Sequence, residues 1–351
     1  MRYILKSAKT DVLNMEEPNL KIEEIRRKFE IDTRLCVFEL SEGLIKVSDE
    51  KIFKKLQKIL KTQSISIPIK LLPPEELTLK YGICNTGTAP VFKDPSMRSE
   101  QITQIILGET FDVLEIKDDW VRIRLHFDGY IGWVYKPQVV LMDEPKFSEY
   151  VQKQKIEFIS NLGFIYSKPD KNSTALRDVV ICSILNYIEI KNGWLKIELP
   201  DETYGFIRKN EARKFKFAER PKPDDIIQTA KRFLGVSYIW GGKTPKGFDC
   251  SGFVQTVFRI NGVQLPRDSD MQWKIGKYVG KDFKKFKKGD LLFFSSDGKR
   301  ITHVGIYTGK DKEIIHASGF VRLNSLDKKS KLYSQRLERT FMGAKRVLNL
   351  K

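Results

Sequence analysis

The feature that most limits what this 351-residue chain can fold into is an internal repeat. The segment from FKDPSMRSE to GYIGWV, residues 92–134, recurs from YSKPDKNST to TYGFI, residues 166–207. Pro95 aligns with Pro169, Ser99 with Ser173, Glu115-Ile116-Lys117 with Glu189-Ile190-Lys191, Trp120 with Trp194 and Tyr130 with Tyr204. Each copy is a series of short β-rich segments broken by Pro, Asp, Asn and Gly, which predicts a small barrel of about 65 residues. DWVRIR alternates apolar and polar residues as a half-buried strand does.

The rest of the chain divides around the repeat. We expect a small α+β segment over 1–75, barrels over 76–145 and 146–217, and a last domain over 218–351. In the first segment Leu20, Ile22, Ile25 and Phe29 predict a short helix. A second helix carries Ile52, Phe53, Leu56, Ile59 and Leu60, with Ser48 or Asp49 as N-cap. RLCVFELSEG and LIKVS read as strands, and no function is assigned to this segment. FAERPKPDD is a linker by composition. Beyond it Asp224 is expected to cap a helix bearing Ile226, Ile227, Ala230, Phe233 and Leu234. A helix from Cys250 follows, then strands at GDLLFFS, ITHVGIYTG, EIIHAS and FMGAKRVL.

The net charge of +18 invites a nucleic-acid reading. Lys and Arg are nevertheless spread along the chain without zinc-finger spacing or an RNA-binding signature, so no nucleic-acid partner is expected. No apolar stretch reaches the roughly 18 residues of a membrane span. The start, MRYILKSAKTDVLN, has no apolar signal core, and a cytoplasmic location is expected.

Four cysteines are widely spaced. Cys36 and Cys182 sit in apolar, strand-like runs and read as small buried hydrophobes. Cys250 differs: it begins a helix behind a glycine-rich loop, in YIWGGKTPKGFDCSGFV. Asp249 can cap that helix, and Gly241, Gly242 and Gly247 are expected to keep the incoming loop close to the helix end, leaving room for a substrate backbone. A helix N-terminus and a neighbouring imidazolium would favour the thiolate that a nucleophile needs. Of three histidines, His126 reads as structural, whereas His303 and His316 fall on consecutive strands joined by a tight turn. Packed against Cys250, they can supply a base and a group to orient it. No metal or cofactor is called for by this set.

The repeat's ending resembles that of bacterial SH3-like domains, the second copy having lost a residue. The ordered series YIWGG, GFDCSGFV, LPRDSDMQ, GDLLFF, THVGIY and IIHASG resembles NlpC-type papain-like cysteine peptidases. Together, over residues 76–351, the arrangement is similar to γ-D-glutamyl-L-diamino acid peptidases of muropeptide recycling. The implied architecture is α+β and multidomain, two SH3-like barrels before a papain-like domain. The resemblance implies Cys250 as nucleophile, His303 as base, His316 as its orienting residue, and Tyr238 with the Cys250 N–H as oxyanion donors.

It also implies that Asp249, Ser251 and Trp240 line the groove, with Arg267, Asp268 and Ser269 on a facing loop. Glu100 and Tyr130 are its candidates for reading a free L-Ala amine. Glu100 is singled out because the second copy carries Thr174 there, whereas Tyr130 recurs as Tyr204, which leaves a shared structural role open. The expected partners are murein stem peptides with L-Lys or diaminopimelate. An exported hydrolase gripping the wall through its barrels, and a non-catalytic wall- or nucleic-acid-binding protein, are the alternatives.

Overall fold

The computed structural model describes residues 23–41, 43–62, 66–215 and 221–348. Leu20 and Ile22 of the expected first helix lie outside them. Residues 23–28 are helical, and Ile25 joins Phe38, Ile45, Val47, Leu56 and Leu60 in a core of its own. The helix Glu50–Thr62 is capped by Asp49, whose carboxylate accepts the Ile52 N–H at 2.9 Å. It covers strands Phe38–Ser41 and Leu44–Val47, with a third, parallel strand at Ile69–Leu71.

Two seven-stranded sheets follow, over residues 81–142 and 155–214. Counting each copy's own strands from one, both have the spatial order 7-1-4-5-6-2-3. Both carry a bulge at the equivalent point, between Val113 and Glu115 and between Tyr187 and Glu189. The repeat in sequence is therefore a repeat in topology.

The register corrects one residue match. Trp120 pairs with Tyr135 and Arg124 with Ile131, whereas Trp194 pairs with Arg208 and Glu198 with Tyr204. Tyr204 thus corresponds to Ile131, and the counterpart of Tyr130 is Thr203. The lost residue lies between the two strands, so alignment by a constant offset slips there. Burial agrees: Tyr130 is 4% exposed and Tyr204 51%. Tyr130 has no structural twin.

The last unit packs the helices Pro223–Lys231 and Cys250–Ile260 on a six-stranded antiparallel sheet. Lys222, not Asp224, is the N-cap of the first helix; the Asp225 carboxylate accepts the Lys222 N–H, and Asp224 pairs with Lys288. Strands Lys277–Gly280 and Phe320–Ser325 and the helices Ser269–Lys274 and Gln335–Thr340 complete it. Cys36 and Cys182 lie outside strands, Cys182 buried at a tight turn with φ of 69°. Among the described residues, no helix is long and apolar enough to cross a membrane.

The units are joined through polar contacts. Glu109 of the first barrel is buried between Lys243 and Arg259 of the last unit, and Arg259 also donates to the Cys182 carbonyl of the second barrel. The N-terminal unit binds the first barrel through Glu39–Arg122 and Lys46–Glu115 and through an Arg124 bond to the Ser48 carbonyl. Glu109→Ala strands two buried cations, and urea unfolding should show a loss of about 3–5 kcal/mol.

Candidate active site

Cys250 is the first residue of its helix, and the Asp249 carboxylate caps that helix by accepting the Gly252 N–H at 2.6 Å. Beneath the cap lies Arg267, with its side chain fully enclosed. Its guanidinium donates to Asp249 at 2.6 and 3.1 Å, to Ser251 Oγ at 3.1 Å, and to Thr103 of the first barrel at 2.8 Å. Asp249 and Ser251 border the groove, but the Asp249 carboxylate is committed to Arg267 and the cap rather than left to a ligand. Arg267, expected on a loop facing the groove, is instead its foundation.

The glycines hold the loop close to the helix start, as expected: the Asp249 N–H donates to the Gly242 carbonyl at 2.9 Å. A Cβ on Gly241 would lie 2.6 Å from the Gln101 carbonyl oxygen of the first barrel, and one on Gly242 would lie 2.3 Å from that of Gly247. They close the loop on itself and on the barrel.

His303 and His316 share one face of their hairpin. Ile306 pairs with Ile315, which sets Gly305 opposite His316 and places His303 diagonally beside it. The missing side chain at Gly305 makes room, since a Cβ there would come within 3.0 Å of the His316 Cβ. His303 Nε2 and His316 Nδ1 are 2.7 Å apart, and His316 Nε2 is 2.9 Å from Asn324 Oδ1. Asn324 Nδ2 donates to the Leu332 carbonyl, which fixes its amide orientation.

The protons follow from that anchor. Asn324 Oδ1 can only accept, so His316 carries its proton on Nε2 and accepts on Nδ1. His303 Nε2–H then donates to His316, and Nδ1 of His303 keeps a lone pair. That nitrogen is the one left free to accept a proton. Asn324 went unnoticed in the sequence because nothing in FVRLNS marked a strand alongside His316.

Cys250 borders a groove of about 780 Å³ yet is only 8% exposed. Burial, followed by the Asp249 charge, pushes its thiol up to about 12; N–H groups of Val304 and Ser251 and the Arg267 charge pull the other way. Burial, then His316 and Arg336, hold His303 well below 6.5. Both shifts favour the neutral thiol and the neutral imidazole, against the thiolate expected of a helix start. Burial likewise takes His316 down to about 4, partly offset by its Asn324 bond. Burial first, and then the Asp249 carboxylate, hold the Tyr238 hydroxyl above its usual range, so it keeps its proton to donate.

The groove's other wall comes from outside this unit. Glu100 accepts from the Trp240 indole N–H at 2.8 Å, and Gln101 donates to the Trp240 carbonyl at 2.8 Å. Tyr130 Oη donates to Asp268 Oδ2 at 2.9 Å. Asp268 precedes the helix that Ser269 begins, so Ser269 is helical rather than in a loop. Glu100, Tyr130, Trp240, Asp268, Ser269 and Cys250 all line the one groove.

Two outcomes follow from the histidine chain. Asn324→Ala removes the anchor that selects the productive tautomer, and kcat should fall ~10- to 100-fold in steady-state assays with KM little changed. For His316, the unfolded chain binds a proton between about pH 6.5 and 4 that the folded site refuses. Its contribution is intact above 6.5 and lost as pH falls through that window, by on the order of 3 kcal/mol. Urea unfolding at pH 4.5 and 7 should therefore show a smaller difference for His316→Gln than for the unaltered protein.

Comparison with known proteins agrees with this geometry. Residues 235–343 match the NlpC/P60 family, and residues 91–138 match the bacterial dipeptidyl-peptidase Sh3 domain. The γ-D-glutamyl-L-lysine dipeptidyl-peptidase of Bacillus subtilis (strain 168) is 34% identical over 222 residues, 60% of this chain and 70% of that protein. The protein of the same name from Bacillus cereus (strain ATCC 10987) is 32% identical, the match spanning 61% of this chain and 66% of the relative, just under two thirds of its length. The crystal structure of an NlpC/P60 family protein from Bacillus cereus ATCC 10987 superposes with a TM-score of 0.65 at 25% identity, covering 76% of this chain and 99% of that one. With Cys250 at a helix start, two histidines on one hairpin and SH3-like barrels ahead of them, the chain belongs to the NlpC/P60 family of cysteine peptidases.

Proposed function

We propose that the protein hydrolyses the bond between γ-D-Glu and an L-diamino acid in murein stem peptides with a free N-terminal L-Ala, releasing L-Ala-γ-D-Glu. The observation that carries this reading is the pairing of acid and hydroxyl groups in the same groove as Cys250. Tyr130 gives its proton to Asp268, so its oxygen is left to accept from an ammonium, and Glu100 is steadied by the Trp240 indole. An N-acylated peptide would bring no positive charge to these groups and would leave them desolvated and unpaired. The relatives named as γ-D-glutamyl-L-lysine dipeptidyl-peptidases support the same substrate class.

Chemistry follows from the proton positions. His303 Nδ1 takes the Cys250 proton as sulfur attacks the γ-carbonyl, turning a neutral pair into thioester-forming nucleophile and imidazolium. The Cys250 N–H, free at the helix start, and the Tyr238 hydroxyl receive the oxyanion. His303 then protonates the leaving amine and afterwards activates the water that hydrolyses the thioester. Small free-amine peptides are products of wall turnover, so recycling in the cytoplasm is part of the proposal.

The test offers L-Ala-γ-D-Glu-L-Lys, its diaminopimelate analogue and the N-acetylated tripeptide, with release of the free diamino acid read by mass spectrometry. We expect cleavage of the free-amine peptides alone, none by Cys250→Ala, and a KM raised about ten-fold or more by Glu100→Gln. Equal cleavage of the acetylated peptide would overturn the amine reading.

A further inference from the structure

The N-terminal unit lies outside both family matches, yet it reaches the groove. Residues 32–34 run past the mouth of the first barrel, where the Ile131 N–H donates to the Arg34 carbonyl at 2.7 Å. That bond sets Arg34 beside Tyr130 in the chain of the barrel. From there the guanidinium turns toward the peptidase unit.

All five of its N–H groups are used. Nε and one Nη2 hydrogen go to Asp32 at 2.9 and 2.8 Å. Both Nη1 hydrogens cross to the peptidase unit, to Asp268 Oδ2 and Asp270 Oδ1, each at 2.8 Å. The remaining Nη2 hydrogen reaches Asp270 Oδ2 at 2.9 Å. A planar fork with five fixed donors suits three carboxylates in this way; an ammonium, with three donors, cannot reproduce it. Arg34 therefore has no donor left for a ligand.

Its effect falls on Asp268. Oδ2 of that carboxylate receives both Arg34 and Tyr130, while no described residue bonds Oδ1. Asp268 is thus held at one oxygen from two different units and leaves the other for a ligand. The charge balance points the same way. The groove lining carries six acidic side chains against four basic ones, with Arg34 and Arg300 both acting on Asp270. Asp32 is held below its usual range by its bonds to Arg34; burial would raise Asp270, but Arg34 outweighs it. The cluster stays anionic without becoming a set of unpaired, mutually repelling carboxylates.

We propose that Arg34 is a positioning residue for substrate recognition, which makes the N-terminal unit a working part of the subsite that reads the peptide's amine. This rests on the reading of the groove as a free-amine peptide site. Arg34 acts through Asp268: it fixes one carboxylate oxygen so that the other, with the Tyr130 hydroxyl, meets an incoming ammonium. The catalytic pair lies on a different framework, the Cys250 helix and the histidine hairpin, and does not depend on it.

The test compares the full-length protein with Arg34→Ala and Arg34→Lys on L-Ala-γ-D-Glu-L-Lys, together with the rate of Cys250 alkylation by iodoacetamide and thermal melting. The expected result is a split. Arg34→Ala raises KM about ten-fold or more with kcat within about three-fold, and Arg34→Lys, which keeps charge but not the fork, falls between. The alkylation rate stays within about two-fold of the unaltered protein, marking an intact thiol site. A KM unchanged in both variants, with the unaltered protein active, overturns the inference and leaves the proposed function standing. Equal losses of kcat and alkylation rate at unchanged KM also overturn it, because they mark a general structural role. If Arg34→Ala fails to fold, Arg34→Lys decides: a KM equal to that of the unaltered protein overturns the inference. Turnover of the N-acetylated peptide as fast as the free one by the unaltered protein overturns the amine reading and the inference together.

Discussion

The buried ion pair between Asp249 and Arg267 is the constraint on which the site depends. A buried charge is tolerated only when its partner and hydrogen bonds are in place. Here one carboxylate caps the nucleophile's helix and one guanidinium ties that cap to Ser251 and to Thr103 of the first barrel. Losing either partner would leave a charge stranded beneath Cys250 at a cost of about 3–5 kcal/mol. The thiol's position is thus set from below by the same residue that fixes where the barrel sits. Arg267 also precedes Asp268, so the groove's acid is placed by the same anchor.

A second polar chain handles protons without a standing charge. From the Leu332 carbonyl through Asn324 and His316 to His303, each group has one available role, and the lone pair that remains is on His303 Nδ1. Burial makes both ionised partners costly, so in the proposed reaction charge separates only as the sulfur attacks. The helix N-terminus and the N–H groups of Val304 and Ser251 then stabilise the anion where it forms, as preorganised dipoles do.

Much of this was legible in sequence, for identifiable reasons. The repeat gave two barrels because both copies keep their Trp, Pro and turn residues at matched spacing. Cys250, His303 and His316 stood out because a helix start and a two-strand hairpin are local patterns. What failed was non-local. Arg267 looked like a loop arginine because its partner Asp249 is 18 positions away and its partner Thr103 lies in the first barrel. Asn324 lies on a strand whose apolar alternation is weak. The thiol's ionisation was misjudged because a helix N-terminus is visible in sequence and desolvation is not. Tyr130 was matched to Tyr204 by a constant offset, an error that only strand register exposes.

The two barrels, equal in topology, differ in what has been laid upon them. In the first, Arg122 pairs with Glu39 and Arg124 with the Ser48 carbonyl, so the N-terminal unit covers the strand Trp120–Leu125 that carries both arginines. The corresponding positions of the second copy are Lys196 and Glu198, and Lys196 lies over the exposed ring of Tyr204 while Glu198 turns to Lys153 and Asn186. At the loop between the second and third strands, Glu100 meets Trp240, where the other copy offers only Thr174. Where the first barrel has Tyr130 reaching Asp268, the second has Thr203 bonded to Asp201 within its own turn. Duplication supplied the scaffold twice. Side chains at a few loop and strand-face positions, not the fold, made one copy a wall of the active site.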